Sequence, residues 1–187
     1  MHFLFRLKLL LTIVSFIVLA SCQTNKTIEL FDEESFSGWE GDTISTWRIT
    51  DGTIVGSLTD TVPHNDFLVT TESYDNFILK LKFKLEGSEG FINAGVQFRS
   101  HRLKDPAYEM IGYQADMGAD YWGALYDESR RRKVLAAPDS LNINSIVNLG
   151  DWNDYEIHEK GSRIQLFLNG NHTVDYSEQK ETLTQSG

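Results

Sequence analysis

Apolar and polar residues alternate one by one along most of the chain. Asn76 to Leu85 (NFILKLKFKL) is the clearest case: Phe77, Leu79, Leu81, Phe83 and Leu85 fall on one face and Lys80, Lys82 and Lys84 on the other. Only a two-residue period segregates those sets, so the segment is predicted as a strand with one face in a core and one in water. Ile164, Leu166 and Leu168 alternate with Arg163, Gln165 and Phe167 in the same way. Around these lie further predicted strands at Thr27 to Phe31, Trp47 to Ile49, Thr53 to Val55, Phe67 to Val69, Trp152 to Glu159 and His172 to Tyr176. Asp51-Gly52 and Asn169-Gly170, pairs that tolerate positive φ, predict tight hairpins, and Lys160-Gly161-Ser162 predicts a third turn. Phe36-Ser37-Gly38-Trp39 reads as a turn, with Trp39 and Trp152 as aromatic core anchors. No segment has helical periodicity beyond a short turn. The predicted architecture is all-β: an antiparallel jelly-roll sandwich of two sheets packed face to face.

The first residues break this pattern. Arg6 and Lys8 precede a nearly continuous apolar run from Leu9 to Ala20, whose last two residues open the small-residue pattern Leu19-Ala20-Ser21-Cys22. The run is shorter than the ~20 residues a comfortable membrane span takes. It is expected to be a lipoprotein signal peptide over residues 1–21, with Cys22 lipidated and residues 22–26 a tether. As the single cysteine, Cys22 has no intrachain disulfide partner. Localisation at a bacterial cell envelope follows as an expectation, with the outer membrane favoured by Gln23 rather than Asp after the cysteine.

Charge narrows the partners. The formal net charge is −10, and losing Arg6 and Lys8 leaves 15 cations against 27 acids, a formal −12. Such a chain repels phosphate backbones, so no nucleic-acid partner is expected. Its one basic cluster, Arg130 to Lys133, is either a solvated turn balanced by Asp127 and Glu128 or a source of one or two cations for a cleft.

Candidate chemistry concentrates between Ile92 and Lys133, a strand-like run that carries many ionisable and aromatic residues. Burying those groups without partners is costly, so a solvated, concave sheet face is the cheaper arrangement, and it suits a carbohydrate. On the strand predicted from Met110 to Met117, Gly112, Gln114 and Asp116 share a face; alternation from Asn93 likewise groups Gly95, Gln97 and Arg99. Tyr121, Trp122 and Tyr126 offer faces for stacking on a pyranose ring. His101 is a candidate general acid, or an ordinary loop residue. Asp116, Asp120 and Asp127 show no metal-ligand spacing; a divalent cation gathered from separate loops stays open.

The ordered segments LFDEESFSGWE, TWRITDGTIVGS, NFILKLKFKLEG, INAGVQFRS, GYQADMG, YWGALYDESRR and DWNDYEIHEKGSRIQLFLNG resemble the 3-keto-disaccharide hydrolases, also described as a 3-keto-glucoside 1,2-lyase and 3-keto-2-hydroxyglucal hydratase domain. The resemblance implies a concanavalin-like jelly roll over 27–187. It also implies a C-terminal truncation, since similar proteins continue with closing strands. The implied reaction acts on glycosides oxidised at C3: a base takes the C2 proton, the C1 glycosidic oxygen leaves by β-elimination, and water adds across the double bond. A partner oxidoreductase would make the ketone. Gln114 and Asp116 match the family's glutamine and acidic position; Asp116 is then the C2 base, or orients a cation or water, or pairs with Arg99 or Arg131. Asn93, Gln97 and Arg99 match its asparagine-to-arginine strand, with Arg99 stabilising the enolate or pairing with Asp116 or Glu109. Glu109 is the second carboxylate, although its spacing of five to Gln114 departs from some relatives, and Arg131 is a candidate cation for the substrate. Two rival classes are a noncatalytic carbohydrate-binding module or lectin, and a structural envelope lipoprotein.

Overall fold

The computed structural model describes residues 26–57, 63–138 and 143–180. The expected signal peptide, Cys22, and the Gln185-Ser186-Gly187 end lie outside the described residues. The chain divides into two compact units, Met1–Leu30 and Phe31–Gly187. Among the described residues no helix is long and apolar enough to cross a membrane.

Among the described residues, twelve strands and one helical turn follow in order. β1 (Trp39–Glu40), β2 (Trp47–Thr50), β3 (Thr53–Gly56) and β4 (Val69–Thr70) make two small antiparallel pairs, β1 with β4 and β2 with β3. Next come β5 (Phe77–Phe83), β6 (Asn93–Arg102), β7 (Met110–Gly118), β8 (Leu125–Glu128) and β9 (Lys133–Ala136). A single helical turn, α1 (Ile143–Ile146), precedes β10 (Asn153–Lys160), β11 (Arg163–Leu168) and β12 (Asn171–Ser177). One four-stranded sheet has the order β12-β11-β10-β5 and the other β6-β7-β8-β9. The result is the jelly-roll sandwich, with nearly every element a strand.

The hairpins form where the turn residues demand them. Asp51 and Gly52 both have positive φ, 49° and 71°, as do Asn169 and Gly170, at 48° and 75°. That pair of left-handed residues matches the strand twist, which is why two-residue loops suffice. Residues 27–31, in contrast, form no strand. Trp152 is 43% exposed and so is no core anchor.

The core lies between the four-stranded sheets. Phe83, Tyr155, Ile157, Ile164, Leu166, Leu168 and Val174 come from the first, and Phe98, Tyr113, Ala115, Met117 and Leu125 from the second. Each large aliphatic buried here stabilises the fold by ~1.5–3 kcal/mol relative to exposure. β5 packs as its alternation predicts, with Lys80 and Lys82 outside against Glu156 and Asp154 at 2.9 and 2.5 Å. These exposed pairs are worth under about 1 kcal/mol each and mainly keep the outer face wet.

What matters for function is that Tyr113, Ala115 and Met117 turn inward from β7. By strand alternation Gly112, Gln114 and Asp116 must point out of the opposite side of the β6–β9 sheet. That side is the candidate face.

Candidate functional site

Register assembles the face. Cross-strand partners in a sheet point the same way, and Gln97 of β6 lies opposite Gln114 of β7, which lies opposite Tyr126 of β8. Asn93 pairs with Gly118, Gly95 with Asp116, and Gly112 with Glu128. Asn93, Gln97, Gln114, Asp116, Tyr126 and Glu128 therefore share one side of three adjacent strands. Glycine at position 95 is required by this packing: a Cβ there would come within 2.5 Å of the Gln114 side chain, which lies across it.

Asp116 is the centre of the face. Its residue is only 4% exposed, and Gln114 Nε2 donates to its Oδ1 at 2.7 Å. Burial pushes its carboxyl up to about 6, with the negative charge of Glu128 adding to the rise, while hydrogen bonds from Gln114 and Asn93 pull the other way. Across the core Tyr155 donates its hydroxyl to the Asp116 carbonyl at 3.2 Å, which fixes the strand from behind. Beside Asp116, Gln97 presents an amide whose oxygen and nitrogen are both buried and without a hydrogen-bond partner among the described residues. Buried polar atoms of this kind are rare, because each unmade bond costs about 1–3 kcal/mol.

Glu128 extends the face toward the start of β7. Its carboxyl is raised by burial and by the charge of Glu109, and lowered by Ser129 and Arg132. Glu109 sits just ahead of β7, accepting from the Met110 amide at 3.0 Å. Tyr126 has its hydroxyl raised by burial, then by Glu128, Asp116 and Tyr121, with Arg132 opposing. Those mutual effects place Tyr121 and Arg132 within electrostatic reach of the same face. Tyr121 itself stands edge-on to Phe91, with ring centroids 6.3 Å apart.

Four predicted site residues lie elsewhere. Arg99 does not follow Gln97 onto the face: a β-bulge between Phe98 and His101, with Arg99 at φ 47°, turns it inward. There it pairs with Glu159 and donates to the Gly161 carbonyl at 2.6 Å. The bulge also folds Ser100 over Gly112, where any Cβ would collide with it. His101 resumes pairing opposite Ile111, on the side opposite to Gln114, and is exposed. Trp122 packs against the core, stacked on Phe83 with centroids 6.2 Å apart. Arg131 is held by Asp127 and donates to Glu178 at 2.7 Å, and Tyr113 donates to the same Glu178 oxygen at 2.8 Å. Asp127 also holds Arg130 at 2.8 Å, so the basic cluster is largely a structural knot beneath the sheet.

Sequence reasoning named Glu128 only as a charge balancing the basic turn, and Arg132 only as one of four cations, Arg130 to Lys133, from which a cleft could draw. Alternation from Tyr126 was the available signal for Glu128, since the two are separated by one residue on β8. Which of the four cations comes within reach of the face had no signal, because the direction of Arg132 depends on the turn between β8 and β9, where it takes φ 53°.

Among the described residues no group of three or more His, Cys, Asp or Glu stands where it could hold an ion. What remains is a hydrogen-bonding floor of amides and carboxyls, two tyrosines at its rim and one cation within reach. It can hold hydroxyls, abstract a proton at Asp116 and return one from Glu128.

The family model for the 3-keto-alpha-glucoside-1,2-lyase-like domain matches residues 26–187. No curated protein matches the chain. Among solved structures, the carbohydrate binding module CBM66 of Bacillus subtilis is similar at 17% identity and TM-score 0.57, covering 75% of this chain and 80% of that one. Two candidate glycosyl hydrolases of Parabacteroides distasonis are similar as well. One is 22% identical with TM-score 0.51, covering 82% of this chain and 73% of its own. The other is 18% identical with TM-score 0.52, covering 75% and 67%. At these identities the likeness is one of fold.

Proposed function

We propose, because the chain belongs to the 3-keto-alpha-glucoside-1,2-lyase-like domain family, that its carbohydrate-related activity is the cleavage of 3-keto glycosides by elimination and hydration. The observation that carries this is Asp116: a nearly buried carboxyl whose pKa is about 6, facing the same way as the unpartnered Gln97 amide. Ionised at neutral pH yet more basic than an ordinary carboxylate, it suits removal of a proton acidified by an adjacent ketone.

The steps are as follows. Asp116 takes the proton from C2, and the C2–H electron pair moves into the C2–C3 bond, leaving charge on the C3 oxygen. Gln97 and Gln114 donate hydrogen bonds to the sugar oxygens, and Arg132, in place of Arg99, supplies the positive charge that favours the enolate. The enolate collapses to restore the ketone, forms the C1–C2 double bond and expels the C1 oxygen, which Glu128 protonates. Water then adds its hydroxyl to C1 and a proton to C2, giving the 3-keto sugar. No covalent sugar–protein bond forms, so a carboxylate nucleophile is not needed. Tyr126 and Tyr121 border the ring.

A chromogenic 3-keto glucoside, compared with the unoxidised glucoside, tests the reading. Release from the keto substrate alone is the expected result, with Asp116→Asn lowering it by ~10²-fold or more, in the range of a lost general base, while sugar binding persists. Release from neither substrate, with binding retained, establishes the alternative of a noncatalytic carbohydrate-binding module, to which the near-complete burial of Asp116 would then belong as a structural feature. An oxidoreductase that installs the ketone is the partner this chemistry requires. Lipidation at Cys22 and anchoring at the cell envelope belong to the same proposal, and Cys22→Ser should release the protein from the membrane fraction.

A further inference from the structure

At the end of the candidate face, where β6 and β7 pair for the last time at Arg102 and Met110, the surface opens into a cavity of about 350 Å³. That volume falls in the range of small-molecule pockets, roughly 300–1,000 Å³. Its walls include Asp42, His64, Asn65, Asp66, Arg102 and Tyr108. None of these belongs to the machinery described above.

The walls are fixed in place. Tyr108 is 43% exposed, yet its ring lies flat against His64, with centroids 4.0 Å apart and 8° between planes. His64 Nδ1 is 2.7 Å from the Asn65 carbonyl, which can only accept, so Nδ1 carries the proton and Nε2 is left as the acceptor in the neutral ring. The loop bearing Tyr108 is tied down by Leu103 N to the Glu109 carbonyl at 2.8 Å and by Arg102 Nη1 to the Ala107 carbonyl at 3.1 Å. Asp66 is oriented by Thr46 and Trp47, which donate to it at 2.7 and 3.1 Å. From the cavity wall the Asn65 side-chain amide donates to Glu109 at 3.5 Å, and the charge of Glu109 acts in turn on Glu128 of the face. From Gly112, opposite Glu128, to Met110 is two residues of strand, ~7 Å.

We infer that this cavity is the leaving-group subsite, and that it takes a neutral hexosyl unit. The inference rests on the elimination reading for its orientation. Glu128 would protonate the departing oxygen, so the unit attached to that oxygen extends along β7 toward Tyr108. A rigid, exposed aromatic face suits the C–H face of a sugar ring, and the surrounding carboxylates and imidazole accept from its hydroxyls. Glu40, Asp42 and Asp66 face a single cation, Arg102, so a uronate or phosphorylated leaving group is disfavoured by charge.

The test compares the full-length protein with its Tyr108→Ala and Tyr108→Phe variants on two substrates: a 3-keto glucosyl-glucose and methyl 3-keto-glucoside. The expected result is a loss of about tenfold in kcat/KM on the disaccharide for Tyr108→Ala, the size of a lost ring contact, with no change on the methyl glycoside and recovery in Tyr108→Phe. Equal loss on both substrates, or no loss on either, overturns the subsite. If the wild type turns over neither keto substrate, the elimination reading fails by itself, and titration with unoxidised maltose and methyl glucoside decides the cavity. A maltose preference that disappears in Tyr108→Ala upholds it as a sugar site; equal affinities in the wild type overturn it.

Discussion

Asp116→Asn should make the protein more stable at neutral and alkaline pH while removing its activity. The Asp116 carboxyl titrates at about 6 in the fold against 3.8 in the unfolded chain, because burial penalises its charged form more than Gln114 and Asn93 compensate. A raised acid is a cost that grows with pH: absent below about 3.8, it rises through the interval up to 6 and stays constant above. The full difference corresponds to about 3 kcal/mol. Asparagine keeps an acceptor for the Gln114 amide and carries no charge beside Glu128, so the variant should recover between about 1 and 3 kcal/mol at pH 8. At pH 4 it should recover nothing. Urea unfolding of both proteins at pH 4, 6 and 8 measures this directly. A variant destabilised equally at all three pH values, or most at pH 8, would refute the reasoning, since Asp116 would then be held ionised by its partners and be structural.

Other consequences are equally open to measurement. Arg99→Met should destabilise the fold by ~3–5 kcal/mol, because it strands the Glu159 charge in the core, and pairing it with Glu159→Met should restore most of the loss in urea titrations. Activity lost from Arg99→Met without loss of stability would return Arg99 to the face. Glu178, lowered to about 2 from 4.5 by Arg131 and Tyr113 against the opposing effect of burial, contributes stability that is present above pH 4.5 and is lost as pH falls toward 2. Glu178→Gln should flatten that acid limb of the stability profile. His101→Ala should leave both turnover and urea midpoint unchanged, since the side chain is exposed on the side opposite to Gln114.

How much of this was legible in the chain depends on how local each determinant is. The Asn76 to Leu85 alternation, the Asp51-Gly52 and Asn169-Gly170 turns and the inward set Ile164, Leu166 and Leu168 all act within a few residues, so the sequence by itself determined the strands, their buried faces and the two-sheet class. The same two-residue period placed Gln97, Gln114 and Asp116 on one side of their strands. Tertiary structure decided the rest. One extra residue at the β6 bulge reversed Arg99 from the face to the core, which alternation has no means of signalling. Trp122 and Arg131 went to Phe83 and to Glu178, partners 39 and 47 residues away in the chain, and Glu128 joined Asp116 only through the register of β7 with β8. Burial then raised the Asp116 carboxyl. Desolvation depends on everything packed around a group, so only the folded chain sets the pKa that the proposed chemistry uses.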